Sequence, residues 1–114
     1  MSAASDCADR HVAAFNDAVA SGDFGDFLDR FDDAAVIRFE NVPSAGVLEF
    51  AGRPAYAEAY ARMPPDDQID IAGPPREDDG AVVIPFAWRR DGSRGTMRLA
   101  LANGSITRMT VTFG

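Results

Sequence analysis

A chain of 114 residues with 46% hydrophobic and 25% charged residues can bury one core and leaves little room for a second domain. Its 11 basic residues are all arginine, so Schiff-base chemistry on a lysine and lysine-anchored pyridoxal phosphate are excluded. The formal net charge of −7 is unevenly spread: residues 1–80 hold 17 acids and 6 arginines, net −11, whereas residues 81–114 hold one acid, Asp91, and five arginines, net +4.

An acidic chain without clustered bases does not offer the cationic surface that phosphate neutralisation needs, so no nucleic-acid partner is expected. No apolar run approaches the roughly 20 residues that span a bilayer, and MSAASDCADRHV lacks a basic segment followed by an apolar one. The expectation is a cytoplasmic protein without a membrane partner. Cys7 is the only cysteine, so it forms no internal disulfide, and its polar surroundings predict an ordinary exposed thiol. One histidine and one cysteine are too few nitrogen and sulfur ligands for a metal set. No nucleophile elbow, P-loop or dinucleotide glycine fingerprint occurs, and no cofactor is expected.

In chain order, Val12, Phe15 and Val19 mark the apolar stripe of a first helix, with Asp9, Arg10, Asn16 and Asp17 on its other side. Ser5 or Asp6 can cap its start, and Ser21-Gly22 ends it. Asp23 then caps a second helix with the stripe Phe24, Phe27, Leu28 and Phe31. After Asp32-Asp33 the period becomes two, with Ile37 and Phe39 on one face of a strand and Val36, Arg38 and Glu40 on the other. NVPSAG is a loop, Val47 to Phe50 a short strand. Pro54 suits the first turn of a third helix whose stripe is Tyr56, Ala59, Tyr60 and Met63.

The remainder is extended: Gln68 to Ala72, Ala81 to Arg90, Thr96 to Ala102 and Ile106 to Phe113. GPPREDDG, DGSRG and ANGS separate these strands. Asp91-Gly92 and Asn103-Gly104 are hairpin signals, because their residues tolerate positive φ. Pro85 removes one ladder donor, which predicts a bulge or an edge there. Early helices followed by consecutive antiparallel strands describe an α+β fold, a cone of three helices on one face of a strongly bent sheet.

Four segments carry a resemblance to a known family. They are Ser-Gly-Asp-Phe between the first helices, Phe-Asp-Asp-Ala-Ala-Val at 31–36, Phe-Ala-Gly-Arg at 50–53 and the final Met-Thr-Val-Thr-Phe-Gly. In order and spacing they resemble the nuclear transport factor 2-like superfamily, in its branch of ketosteroid isomerases and SnoaL-like polyketide cyclases. The resemblance implies a single domain over residues 1–114 enclosing one small-molecule pocket. For the isomerases it also implies a tyrosine on the first helix, an aspartate base on the strand after the second, and a protonated acid as oxyanion donor. By spacing, the tyrosine position is Phe15 and the base position Phe39. The inward face of strand 96–102 offers only Met97, Leu99 and Leu101. A phenylalanine cannot move a proton, so the usual steroid isomerase reaction is not expected. Tyr60 keeps a polar handle at a pocket position.

The other polar residues are weighed one by one. Glu40 lies one residue beyond the base position, where a bulge could turn it inward and burial raise its pKa; Arg38 beside it favours an ion-paired outer face. Asp70 sits between Ile69 and Ile71 and is inside only if those two face the other layer, and Glu49 is similarly ambiguous. Glu40 and Asp70, with Tyr60 as hydrogen-bond donor, are the catalytic candidates. Phe15, Phe39, Tyr56 and Tyr60 are the ligand-binding candidates from the first half. Trp88, Met97 and Met109 are those from the sheet. His11, four residues before Phe15, is either a surface residue or an acid or base at the cavity rim.

Three readings follow: an isomerase or cyclase acting by proton transfer on a small apolar, cyclic ligand, a carrier without chemistry, or a homodimeric module. Arg98 and Arg108 point away from the apolar face, so a homodimer would form through the outer sheet face against an acidic helical layer.

Overall fold

The computed structural model describes residues 3–114, and no helix among them is long and apolar enough to cross a membrane. Helix α1 (Ala3–Ser21) buries Ala4, Ala8, His11, Val12, Phe15 and Ala18, the three-and-four spacing of one helical face. It is already helical at Ala3, so Ser5 and Asp6 sit in its first turn instead of capping it, where Asp6 suits the positive end of the helix dipole. Gly22 ends the helix as expected, with φ +80° and its N–H donating to the Ala18 carbonyl at 2.8 Å. Cys7 is half-buried against the core, and burial raises its pKa; the exposed thiol expected from sequence is corrected.

Helix α2 (Gly25–Leu28) is a single turn. The Asp23 carboxylate accepts the Gly25 N–H at 2.9 Å, although the capping position itself is Phe24. Phe31, expected on this helix, opens β1 (Phe31–Val42). Its register against the last strand is irregular between Phe31 and Val36, and beyond that Ile37 is fully buried as the alternation predicts.

Strand β2 (Gly46–Ala51) pairs with β1 and leads through Gly52 to α3 (Arg53–Arg62). The turn is fixed by polar contacts. The Gly52 N–H donates to the Ala35 carbonyl at 2.8 Å, Arg53 Nη1 donates to the Phe31 carbonyl at 3.1 Å, and Arg53 also ion-pairs with Asp33. Two of the four segments that carry the family resemblance are therefore one physical device, a clamp holding α3 on the start of β1.

Five strands complete the chain: β3 (Ile69–Ile71), β5 (Ala81–Trp88), β6 (Arg94–Ala102) and β7 (Ser105–Phe113) follow the expected order, with β4 (Arg76–Asp78) inserted before β5. The seven-stranded sheet runs β2-β1-β7-β6-β5-β3, β4 also pairs with β5, and only β1·β7 is parallel. GPPREDDG was expected to be loop throughout, yet its Asp79-Gly80 forms a tight turn with both φ values positive, +52° and +79°. Asn103-Gly104 is the same kind of turn, whereas Asp91-Gly92 belongs to a longer connection over 89–93.

Pro85 pairs regularly with Thr96 on one side, and on the other it falls between the stretches of β5 that meet β3 and β4. Its missing N–H thus faces a break in the sheet edge, as expected for a strand proline. Asn16, placed by periodicity on the outer side of α1, instead ties that helix to β3. Its side chain donates to the Ile69 carbonyl at 2.8 Å and accepts the Ile69 N–H at 2.9 Å, which satisfies an edge strand as a neighbouring strand would.

Candidate functional site

The helices and the concave face of the sheet enclose a cavity built almost entirely of rings. About 60 Å3 is open to the centre of a water-sized sphere. This is well below the roughly 300–1,000 Å3 of ordinary drug-sized ligand sites, so the space suits a small compound. All seven candidate ligand-binding residues line it. Phe15 comes from α1, Phe39 from β1, Tyr56 and Tyr60 from α3, and Trp88, Met97 and Met109 from β5, β6 and β7. Phe15 and Phe39 make two of its walls apolar.

Phe27 organises the helical side. Its ring meets His11 at 5.3 Å, Phe15 at 5.6 Å and Phe31 at 5.4 Å between centroids, in tilted or edge-on contacts that suit aromatic quadrupoles. On the sheet side, Phe39, Phe113 and Trp88 stack in sequence at 6.2 and 6.4 Å. Trp88 and Phe113 also border a surface depression containing Asn41, Ser93 and Arg94, so they stand between cavity and exterior. Asn41 Nδ2 donates to the Phe113 carbonyl at 2.6 Å and fixes this corner.

Two polar features interrupt the apolar lining. The first is a tyrosine pair one helical turn apart: the Tyr56 hydroxyl donates to the Tyr60 oxygen at 2.6 Å. Burial raises both hydroxyl pKa values, Tyr56 well above its ordinary range and Tyr60 to about 12, with the Tyr56 hydrogen bond opposing the rise at Tyr60. Both are therefore neutral donors near pH 7. Because Tyr60 accepts from Tyr56, its own proton remains for another acceptor.

The second feature is His11, which is 1% exposed and lines the cavity. The surface or rim position expected from sequence is corrected: α1 turns this residue fully inward, in line with Ala4, Ala8 and Phe15. Burial first, then the Arg30 guanidinium, lowers its pKa to about 3, so the ring is neutral at physiological pH. Its Nδ1 is buried without a hydrogen-bond partner.

Neither candidate carboxylate lines the cavity, which corrects the expectation that one would reach it. Glu40 stays in register with β7, and its side chain lies on the outer face. There it accepts from Arg38 Nε at 2.7 Å and from Thr112 Oγ1 at 3.2 Å, and the Arg38 bond holds its pKa below the ordinary range. Against β2 the register does shift between Phe39 and Val42, yet Glu40 keeps its pairing with Thr112 of β7 and its side chain stays outside. Asp70 is exposed, with its carboxylate on Arg89 Nε at 3.0 Å, while the neighbouring Ile69 lines the cavity. Glu49 faces outward too, 3.4 Å from Arg38. All three carboxylates lie outside, each beside an arginine.

No family model and no curated protein matches the chain in sequence. Solved structures do match. A nuclear transport factor 2-like protein of unknown function from Burkholderia xenovorans superposes with a TM-score of 0.69 at 18% identity, over 96% of this chain and 84% of that one. A protein provisionally named a ketosteroid isomerase, from Kribbella flavida, gives 0.62 at 18%, over 92% and 76%. One provisionally named a polyketide cyclase, from Sinorhizobium meliloti, gives 0.62 at 17%, over 90% and 93%. The chain has the nuclear transport factor 2-like fold, an α+β cone.

Proposed function

We propose that this protein binds a compact, apolar cyclic compound carrying a carbonyl-type oxygen, with the Tyr60 hydroxyl as donor to that oxygen. The observation that carries the reading is the tyrosine pair in an otherwise ring-lined cavity. Tyr56 donates to Tyr60, a lining residue, which leaves the Tyr60 proton for an acceptor in the cavity. In a site this apolar, a hydrogen bond fixes orientation while burial supplies most of the affinity. The volume favours one ring over a steroid skeleton.

A second reading is an isomerase or cyclase acting on the same ligand class. The names of similar solved structures favour it, as does the donor pair, which could stabilise a developing enolate oxygen. The lack of a carboxylate among the lining residues favours binding without proton abstraction.

One set of measurements separates the two. Titration with acetophenone and cyclohex-2-enone is expected to raise the melting temperature, because a ligand selective for the native state stabilises it. Tyr60→Phe is expected to weaken binding about tenfold, roughly 1.4 kcal/mol, the scale of one buried hydrogen bond. Incubation with either ketone in D2O, followed by NMR, reports exchange of the protons next to the carbonyl. Exchange above the buffer rate that disappears in Tyr60→Phe selects the enzyme, and exchange at the buffer rate selects the binding protein. Absence of stabilisation by both ketones sinks the proposal.

A further inference from the structure

Among the described residues His11 is the one fully buried polar side chain outside the tyrosine pair, and near it Arg30 also has a buried, unpartnered Nε. A neutral imidazole carries one N–H donor and one lone-pair acceptor, whichever tautomer it adopts. Among the described residues neither ring nitrogen has a protein hydrogen-bond partner, and Nδ1 is shut off from solvent. A core histidine held for packing ordinarily engages a backbone carbonyl or a carboxylate, because a buried polar atom left bare is costly. His11 instead forms part of the cavity wall, against the same Phe27 ring that packs on Tyr60, at centroid distances of 5.3 and 6.5 Å.

We infer that His11 is a second recognition point, which exchanges a hydrogen bond with a hydroxyl of the ligand while Tyr60 donates to its carbonyl oxygen. This rests on the binding reading above and deepens it, since the ligand class becomes a single-ring compound with a hydroxyl and a carbonyl at separate positions. A hydroxyl suits the site because it both donates and accepts, so either tautomer of His11 is satisfied. A base role fits less well, because proton abstraction is most effective when the base titrates near the working pH. Arg30, which faces His11 electrostatically, further disfavours an imidazolium there.

Acetophenone and 4-hydroxyacetophenone test the inference, with affinities measured by calorimetry on the wild type, His11→Phe, His11→Gln and Tyr60→Phe. The hydroxyl is expected to tighten wild-type binding about tenfold. His11→Phe, which keeps a ring of similar shape, should abolish that preference and leave acetophenone within about twofold; Tyr60→Phe should weaken both ligands alike. His11→Gln, which retains a polar group, serves if the phenylalanine variant does not fold. His11 is the only histidine, so the nitrogen signals of its ring are unambiguous by NMR in the unaltered protein. They should shift with 4-hydroxyacetophenone and stay in place with acetophenone. Equal wild-type affinities, a preference that survives His11→Phe, or unmoved nitrogen signals would overturn the inference while acetophenone binding left the tyrosine reading standing. If neither compound binds, the inference falls, and the tyrosine reading falls with it when cyclohex-2-enone also fails to stabilise the protein.

Discussion

Along β1, Ile37 and Phe39 turn toward the helices while Arg38 and Glu40 turn away, and β7 continues both rows with Met109 and Val111 inside and Arg108 and Thr112 outside. The two faces of this one sheet treat polar groups in opposite ways. Outside, four acids sit beside arginines: Glu40 and Glu49 on Arg38, Asp78 on Arg98, Asp70 on Arg89. Exposed pairs of this kind contribute little, because water already screens them. Inside, three polar side chains stand among rings, and burial shifts all three titrations by removing the charged form from water. Charge is abundant where it does little, and the few polar atoms in the cavity are those that have lost their water.

The comparison can be broken most sharply at Gly95, on the inner face opposite Phe86. A Cβ there would meet the Phe86 ring at 2.6 Å and the Thr112 carbonyl oxygen at 2.8 Å. Gly95→Ala should therefore cost about 2–3 kcal/mol by overpacking a wall that includes backbone, which lowers the melting temperature by on the order of 10 °C in calorimetry. A loss of a degree or less would show that this wall is loosely packed.

His11 gives the next largest effect, and its sign follows from linkage. The unfolded chain binds a proton at this residue near pH 6.5, whereas the folded chain does so only near 3. Between those values the unfolded state holds more protons, so stability falls as pH falls, by up to about 1.4 kcal/mol per pH unit from this group. Glu40, Asp78 and Asp91, each with a lowered pKa in the fold, lose stability in the same direction at more acid pH. Denaturant melts of His11→Phe between pH 7 and 5 isolate the histidine part: the slope with pH should flatten there. An unchanged slope would mean that the ring is charged or exposed.

The smallest effect belongs to the outer face. Glu40→Gln and Asp70→Asn should leave both the melting temperature and acetophenone affinity within measurement error. A lost ligand affinity in either variant would return a carboxylate to the site and reverse the inside–outside assignment.

Much of this arrangement is legible in the sequence, and the misses have physical causes. The alternation of β1 and the clustering of Val12 and Phe15 placed the inner walls, because periods of two and of three to four follow from backbone geometry alone. Those same periods could not say that Asn16 turns to an edge strand, since its partner Ile69 lies 53 residues away. The ambiguity at Asp70 had the same origin, for alternation gives two faces without saying which is covered. Polarity alone puts His11 at the surface, whereas its spacing to Ala4, Ala8 and Phe15 puts it in the middle of the buried stripe. Asp79-Gly80 was a readable turn passed over within a polar stretch.

By itself the sequence determined the α+β order of elements and the apolar identity of positions 15 and 39. These are local properties, set by side-chain type and spacing. Only the tertiary structure decided that Glu40 and Asp70 face water, that Tyr56 donates to Tyr60, and that a neutral His11 shares their cavity. Each of these depends on how α1, α3 and the sheet meet, and that meeting sets which polar atoms lose their water.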